Sequence, residues 1–421
     1  MEFYIDIIII MLVMMFFLFK LNLIGLGFIF LNNFLFMDSI SYFMLMLCMW
    51  LVLIIKLLIF NLNYKFYMNM LVMMMFMFLM LCFLSWSIIM FYIFFESVLI
   101  IMYMMIAYYG YQLERFSSIM YMLMYTLFGS FFFLYFMMYL YYKMYMSFIV
   151  YLYMTLDCSM MMMMFIMLMF LVKTPIYMLH SWLPKAHVEA PLIGSIILAG
   201  ILLKLGGYGL YRMSFFFMKK NIDKYIIYLM MICLVGSLNI SFMCLSLIDI
   251  KQLIAYTSII HMSTMVVMLF MGYSWSYIGL ILMMISHGFC SSCLFCISNF
   301  LYNRYFTRNI FLLKGVMMLY NNMNMFMLLY LMCLMGIPPF LSFFSELMIF
   351  GCFIKWSMLL IMYLIMYMFL CSMYSMYMYS FMCYGEVNYM YSVSCILKYE
   401  YDIMFFHMIP LIFLIFKLNL I

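Results

Sequence analysis

The side chains able to do chemistry here are few, and they lie inside apolar stretches. Glu96 stands in the run Phe91-Tyr92-Ile93-Phe94-Phe95-Glu96-Ser97-Val98-Leu99-Ile100. A charge at the centre of a spanning helix costs about 2.5–3.5 kcal/mol, which pairing or neutralisation lowers. Lys173, in Leu171-Val172-Lys173-Thr174-Pro175, is the candidate partner. Burial disfavours the charged form of a carboxyl or an amine, and a close opposite charge favours it, so making and breaking such a pair moves a proton. Separating Glu96 from Lys173 would release a proton from the amine to a neighbouring water or histidine.

His180, His187, Lys204, His261, His287 and Glu346 follow, all in apolar surroundings. Histidine titrates near neutrality and passes a proton through either ring nitrogen, so a file of His, Lys and water is a relay. A lone buried histidine is more simply a hydrogen-bonded core group. Two carboxylates, two lysines and four histidines inside apolar segments favour transfer, because intramembrane ionisable groups default to function. Lys251 is a weaker relay candidate. It begins a span beside Asp249, where snorkelling to the surface is the simpler account. Lys185 and Glu189 sit at a Pro-rich break, with an interfacial role as good a reading as a relay one.

Elements that position such groups must be membrane helices. Of 421 residues, 72% are hydrophobic and 8% charged, a composition no water-soluble globule can use. A span takes about 20 apolar residues, so the chain accommodates about 14. The fold class expected is an all-α polytopic membrane protein, with its second span at 21–36. Two spans are interrupted, one at 160–191 by Pro175, Pro184 and Pro191, the other at 311–352 by Gly336-Ile337-Pro338-Pro339. Proline frees backbone carbonyls that only protein or water can satisfy, so both breaks lie inside the bundle. They fall five spans apart, the pattern of two inverted five-helix repeats with interrupted helices at matching positions. The expected divisions are 1–66 for N-terminal helices, 67–212 and 225–382 for the repeats, and 383–421 for a C-terminal loop and helix. Lys and Arg clusters on both sides leave orientation open.

The net charge of +6 is spread thinly, without the basic stripe that tracks phosphates, and nucleic acid is not expected as a partner. Cys290, Cys293 and Cys296 point around one apolar helix and read as packing. No Gly-rich phosphate loop, zinc motif or nucleophile elbow occurs, so the chain is expected to hold no cofactor or metal of its own. Met 65, Phe 48 and Tyr 40 against 17 Gly point to an A+T-rich gene read with an extra methionine codon, as in animal mitochondria.

The run Leu183-Pro184-Lys185-Ala186-His187-Val188-Glu189-Ala190-Pro191, continued by Leu202-Leu203-Lys204-Leu205-Gly206-Gly207-Tyr208-Gly209, resembles the antiporter-like subunits of respiratory complex I, and among them the subunit 4 family. Leu253-Ile254-Ala255-Tyr256 with His261 and Ser286-His287-Gly288 fit in order, strongly over residues 85 to 350. The resemblance implies a proton-translocating subunit of NADH:ubiquinone oxidoreductase in the mitochondrial inner membrane. Glu96 and Lys173 would be its coupled pair, Lys204 and the central histidines the crossing, and Glu346 the outlet. It further implies NAD, FMN, iron–sulfur clusters and ubiquinone on partner subunits, with other complex I subunits, neighbouring antiporter-like ones above all, and lipids such as cardiolipin as partners. A stand-alone cation/proton antiporter subunit and a non-conducting scaffold of the membrane arm are the alternatives.

Overall fold

The computed structural model describes residues 29–32, 35–60, 65–144, 160–214, 223–386 and 395–415. The chain begins there with strands β1 (Ile29–Asn32) and β2 (Leu35–Met37), paired antiparallel. The expected span at 21–36 is therefore corrected over its described part. Asn32, a turn-forming residue type, ends β1, and Asp38 opens the next helix by donating its backbone N–H to Ser41 Oγ. The first expected span, 4–19, lies outside the described residues.

Helices make up the rest. They are α1 (Ser39–Phe60), α2 (Lys65–Leu84), α3 (Ile88–Tyr109), α4 (Arg115–Met144), α5 (Met160–Lys173), α6 (Trp182–Glu189) and α7 (Leu192–Ile197). A π-type segment at Leu198–Leu202 runs into α8 (Leu203–Ser214). Then come α9 (Asp223–Cys244), α10 (Ile250–Met271), α11 (Ser274–Tyr305), α12 (Asn321–Leu334), α13 (Leu341–Trp356), α14 (Leu359–Cys383) and α15 (Lys398–Phe413). Among the described residues, nine segments are long and apolar enough to cross a membrane. The fold is all-α and polytopic, and in each set of five spans the fourth is broken: α5–α6 in the first, α12–α13 in the second.

Burial separates centre from periphery. The spans Leu192–Ser214, Ile250–Met271 and Ser274–Tyr305 are buried along 100%, 94% and 100% of their apolar windows, whereas α4 and α14 are buried along only 33%. A helix apolar all round and covered all round belongs to the core, and one with an exposed apolar face meets lipid or a partner subunit. Exposed Phe131, Met362 and Ile100 mark such faces.

Glycines let the central helices approach. A Cβ at Gly206 would lie 2.9 Å from the Thr174 backbone nitrogen and 3.1 Å from Lys173 Cβ. A Cβ at Gly209 would overlap the Phe170 ring. Gly206 thus seats α8 against the end of α5 that carries Lys173. Gly206→Leu should cost about 1–3 kcal/mol through overpacking. Assembled enzyme on native gels, and its midpoint of thermal inactivation, should both fall.

Candidate proton-transfer site

Lys173 owes its position to the break after it. Pro175 has no N–H and disfavours helical backbone at Thr174, so α5 ends there, with Thr174 Oγ1 donating to the Phe170 carbonyl. The ammonium lies at a helix C-terminus, where unsatisfied carbonyls favour a cation. It is 4% exposed, has no hydrogen-bond partner, and sits 4.8 Å from the centroid of the Phe95 ring. Glu96 on α3 is its electrostatic neighbour, and Glu96 Oε1 is likewise buried and unpartnered. The pair the sequence places together is therefore coupled through space rather than by a hydrogen bond. Phe95, Leu99, Met122, Lys173, Trp182 and Leu198 line a cavity of about 10 Å³ beside them, the size that admits about one water.

Lys204 is 0% exposed on α8. Its Nζ donates to the Ala199 carbonyl and lies 2.8 Å from His287 Nδ1 on α11. The acceptor at Ala199 belongs to the π-type segment, a local irregularity that is frequent at functional sites. Gly288 lets α11 come close: a Cβ there would fall 3.3 Å from the Gly200 carbonyl oxygen and 3.6 Å from Lys204 Cε.

His261 on α10 lies beside His287, with ring centroids 5.6 Å apart. Both histidines line a second cavity of about 10 Å³ together with Ser286, Cys290, Ser342 and Glu346. Both Glu346 carboxylate oxygens and the Nε2 atoms of His261 and His287 are buried without a partner. Gly336, at the break between α12 and α13 with φ +67°, faces this carboxylate so closely that a Cβ would overlap it. The second broken helix thus opens room for the acid. Three groups that exchange protons readily, an amine, an imidazole and a carboxyl, stand in series here.

The remaining candidates flank this core. His187 on α6 is fully buried with both ring nitrogens unpartnered, stacked 4.5 Å from the Phe295 ring. It interacts electrostatically with Lys251 and Lys204. Lys251 is 1% exposed, which corrects the snorkelling expectation: Tyr111 covers it, with its ring centroid 5.4 Å from Nζ, and Glu189 and Arg308 are its charged neighbours. His180 occupies the turn between α5 and α6, half-buried and stacked on Tyr177 at 5.7 Å; its known contacts do not join it to Lys204 or Glu346. Cys290 donates to the Tyr330 carbonyl across the α11–α12 contact, as a packing thiol does.

The model of the membrane region of the NADH:quinone oxidoreductase/Mrp antiporter family matches residues 85–372. The chain belongs to that family. NADH-ubiquinone oxidoreductase chain 4 of Rhipicephalus sanguineus is 40% identical over 80% of this chain and 77% of its own length. The chain 4 protein of Lumbricus terrestris is 36% identical over 81% and 76%. Respiratory complex I from Thermus thermophilus superposes with a TM-score of 0.83 at 20% identity, covering 90% of this chain and 81% of that one. The Mrp complex from Dietzia sp. DQ12-45-1b gives 0.84 at 14%, covering 91% and 76%. At such identities the two structures bear on the fold.

Some polar groups of this NADH:quinone oxidoreductase/Mrp antiporter chain escape sequence reasoning. Arg212 on α8 pairs with Asp38, and Arg304 on α11 with Glu400 on α15. Each arginine stood visible in an apolar helix, but partners 174 and 96 residues away carry no local signal. Tyr367 on α14 lies 3.0 Å from His261 Nδ1 and was one tyrosine among forty. Gly336→Ala should push the Glu346 carboxylate out of its cavity. Proton pumping should fall at least tenfold, measured in vesicles by a pH-sensitive dye, while native gels still show assembled enzyme.

Proposed function

We propose that this chain is a proton-translocating subunit of the membrane arm of NADH:ubiquinone oxidoreductase, in the mitochondrial inner membrane. The observation that carries the reading is the buried Lys204 ammonium set against His287, whose ring lines a water-sized cavity together with His261 and the buried carboxylate of Glu346. Animal relatives named NADH-ubiquinone oxidoreductase chain 4, over most of this chain's length, support the enzyme assignment, and the Met- and Phe-rich composition supports the compartment.

Electron transfer takes place on other subunits in this reading, with NADH, FMN, iron–sulfur clusters and ubiquinone bound there. Cardiolipin and neighbouring antiporter-like subunits cover the exposed apolar faces. Glu96 and Lys173 form the loading pair. When their separation grows, the lysine loses its anion and a proton passes toward Lys204; His287 accepts it at one nitrogen and releases one from the other, and Glu346 is the outlet. His261 and His187 flank the crossing, with Lys251 and His180 as accessory positions. Each proton moved against the membrane potential requires about 2.3 kcal/mol per 100 mV, supplied by the remote redox reaction.

Glu96→Gln keeps the shape of the side chain and removes its charge. NADH-driven proton pumping should be abolished, with the enzyme still assembled and still able to reduce quinone when the gradient is collapsed. Normal pumping in the assembled variant would refute the reading. Lys173→Met separates the alternatives: a scaffold predicts failure of assembly with no activity to recover, and an independent antiporter predicts loss of sodium tolerance with NADH-driven pumping intact.

A further inference from the structure

His261 and His287 are held in the same way from opposite sides. His287 Nδ1 faces the Lys204 ammonium at 2.8 Å, and His261 Nδ1 faces the Tyr367 hydroxyl at 3.0 Å. Each ring lines the cavity that holds Glu346, and on each ring Nε2 is the nitrogen without a partner. A neutral imidazole carries one proton, and whichever group occupies one nitrogen decides what the other offers. The two Nδ1 partners differ in kind. An ammonium can hand over a proton and be recharged; a buried phenol in a tyrosine- and cysteine-lined core holds its own.

We infer that Tyr367 is a positioning residue of the relay: by occupying Nδ1 of His261 it presents Nε2 as the one ring nitrogen offered to the Glu346 cavity.

Several features place Tyr367 for this role. Helix α14 packs on the outside of the bundle, yet Tyr367 is 2% exposed and its phenol reaches inward to α10. The Thr264 hydroxyl, a hydrogen-bond neighbour of the phenol, donates its own proton to the His261 backbone carbonyl, and the Nδ1 partner is the Tyr367 hydroxyl. Tyr363, one helical turn earlier, stacks on Tyr367 with centroids 6.2 Å apart and binds Ser237 instead of a histidine. Two tyrosines one turn apart thus have separate tasks: the half-buried Tyr363 fastens α14 to α9, and the buried Tyr367 holds His261. With Nδ1 occupied, His261 takes up or gives up a proton only on the cavity side, so protons reaching it cannot leak toward α14.

The inference rests on the relay reading, and the test separates the two. Tyr367→Phe keeps the ring and removes the hydroxyl; Tyr363→Phe is the matched control; Glu346→Gln tests the relay itself. Proton pumping per electron pair is measured across a pH series in vesicles containing the assembled enzyme. Tyr367→Phe should lower pumping about tenfold, the scale of one hydrogen bond in a buried network, and displace its pH profile, because Nδ1 becomes free to titrate. Tyr363→Phe should leave the profile in place. Wild-type pumping and profile in Tyr367→Phe, or equal changes in both tyrosine variants, would overturn the inference while blocked pumping in Glu346→Gln left the relay standing. Normal pumping in Glu346→Gln would remove the relay, and the inference with it.

Discussion

An amine with no access to water is tolerable in hydrocarbon only when nearby groups share its proton. Lys204 has the Ala199 carbonyl and the His287 imidazole as its partners where three helix segments meet. Intramembrane charge is expensive enough that its retention needs a use. The rest of the molecule can be read as what it takes to place that ammonium, two imidazoles and a carboxylate within reach of each other.

Backbone irregularity follows from the same requirement. Backbone polar groups freed by an irregular helix are tolerated in a membrane only where protein or water satisfies them, and the polar centre is built at such irregularities. The π-type segment carries the Ala199 acceptor, the stop at Thr174-Pro175 leaves Lys173 at a helix end, and the break at Gly336 makes room for Glu346. The buried ion pairs serve a different purpose. Arg212–Asp38 ties the β-hairpin region to α8 and Arg304–Glu400 ties α15 to α11, fixing peripheral elements around the core. Breaking such a pair leaves an uncompensated buried charge, which costs about 3–5 kcal/mol.

Much of this could be read before any coordinates, because lipid enforces one simple rule: long apolar runs become helices, and the few charges inside them matter. The two proline breaks, the five-span offset and the positions of Glu96, Lys173, Lys204 and Glu346 within apolar segments all come from that rule. Where it failed, local or distant geometry took over. Residues 21–36 are apolar enough for a span, but Asn32 and Asp38 turn the described part into a hairpin and a helix start. Lys251 looked like a terminal lysine reaching for water, yet Tyr111 from a distant loop covers it. Glu96 and Lys173 are electrostatic neighbours as the sequence suggests, and the Phe95 ring beside the ammonium is what the sequence did not show. Tyr367 and the partners of Arg212 and Arg304 are set by tertiary contact alone, and no periodicity reports that.

The most direct test is a high-resolution cryo-electron microscopy map of the assembled enzyme, read for ordered water along this chain. The account predicts water in the cavity beside Lys173 and in the cavity shared by His261, His287 and Glu346, bridging the buried polar atoms into one file. Dry, apolar-packed space at both places, with Lys204 cut off from Glu346, would contradict it.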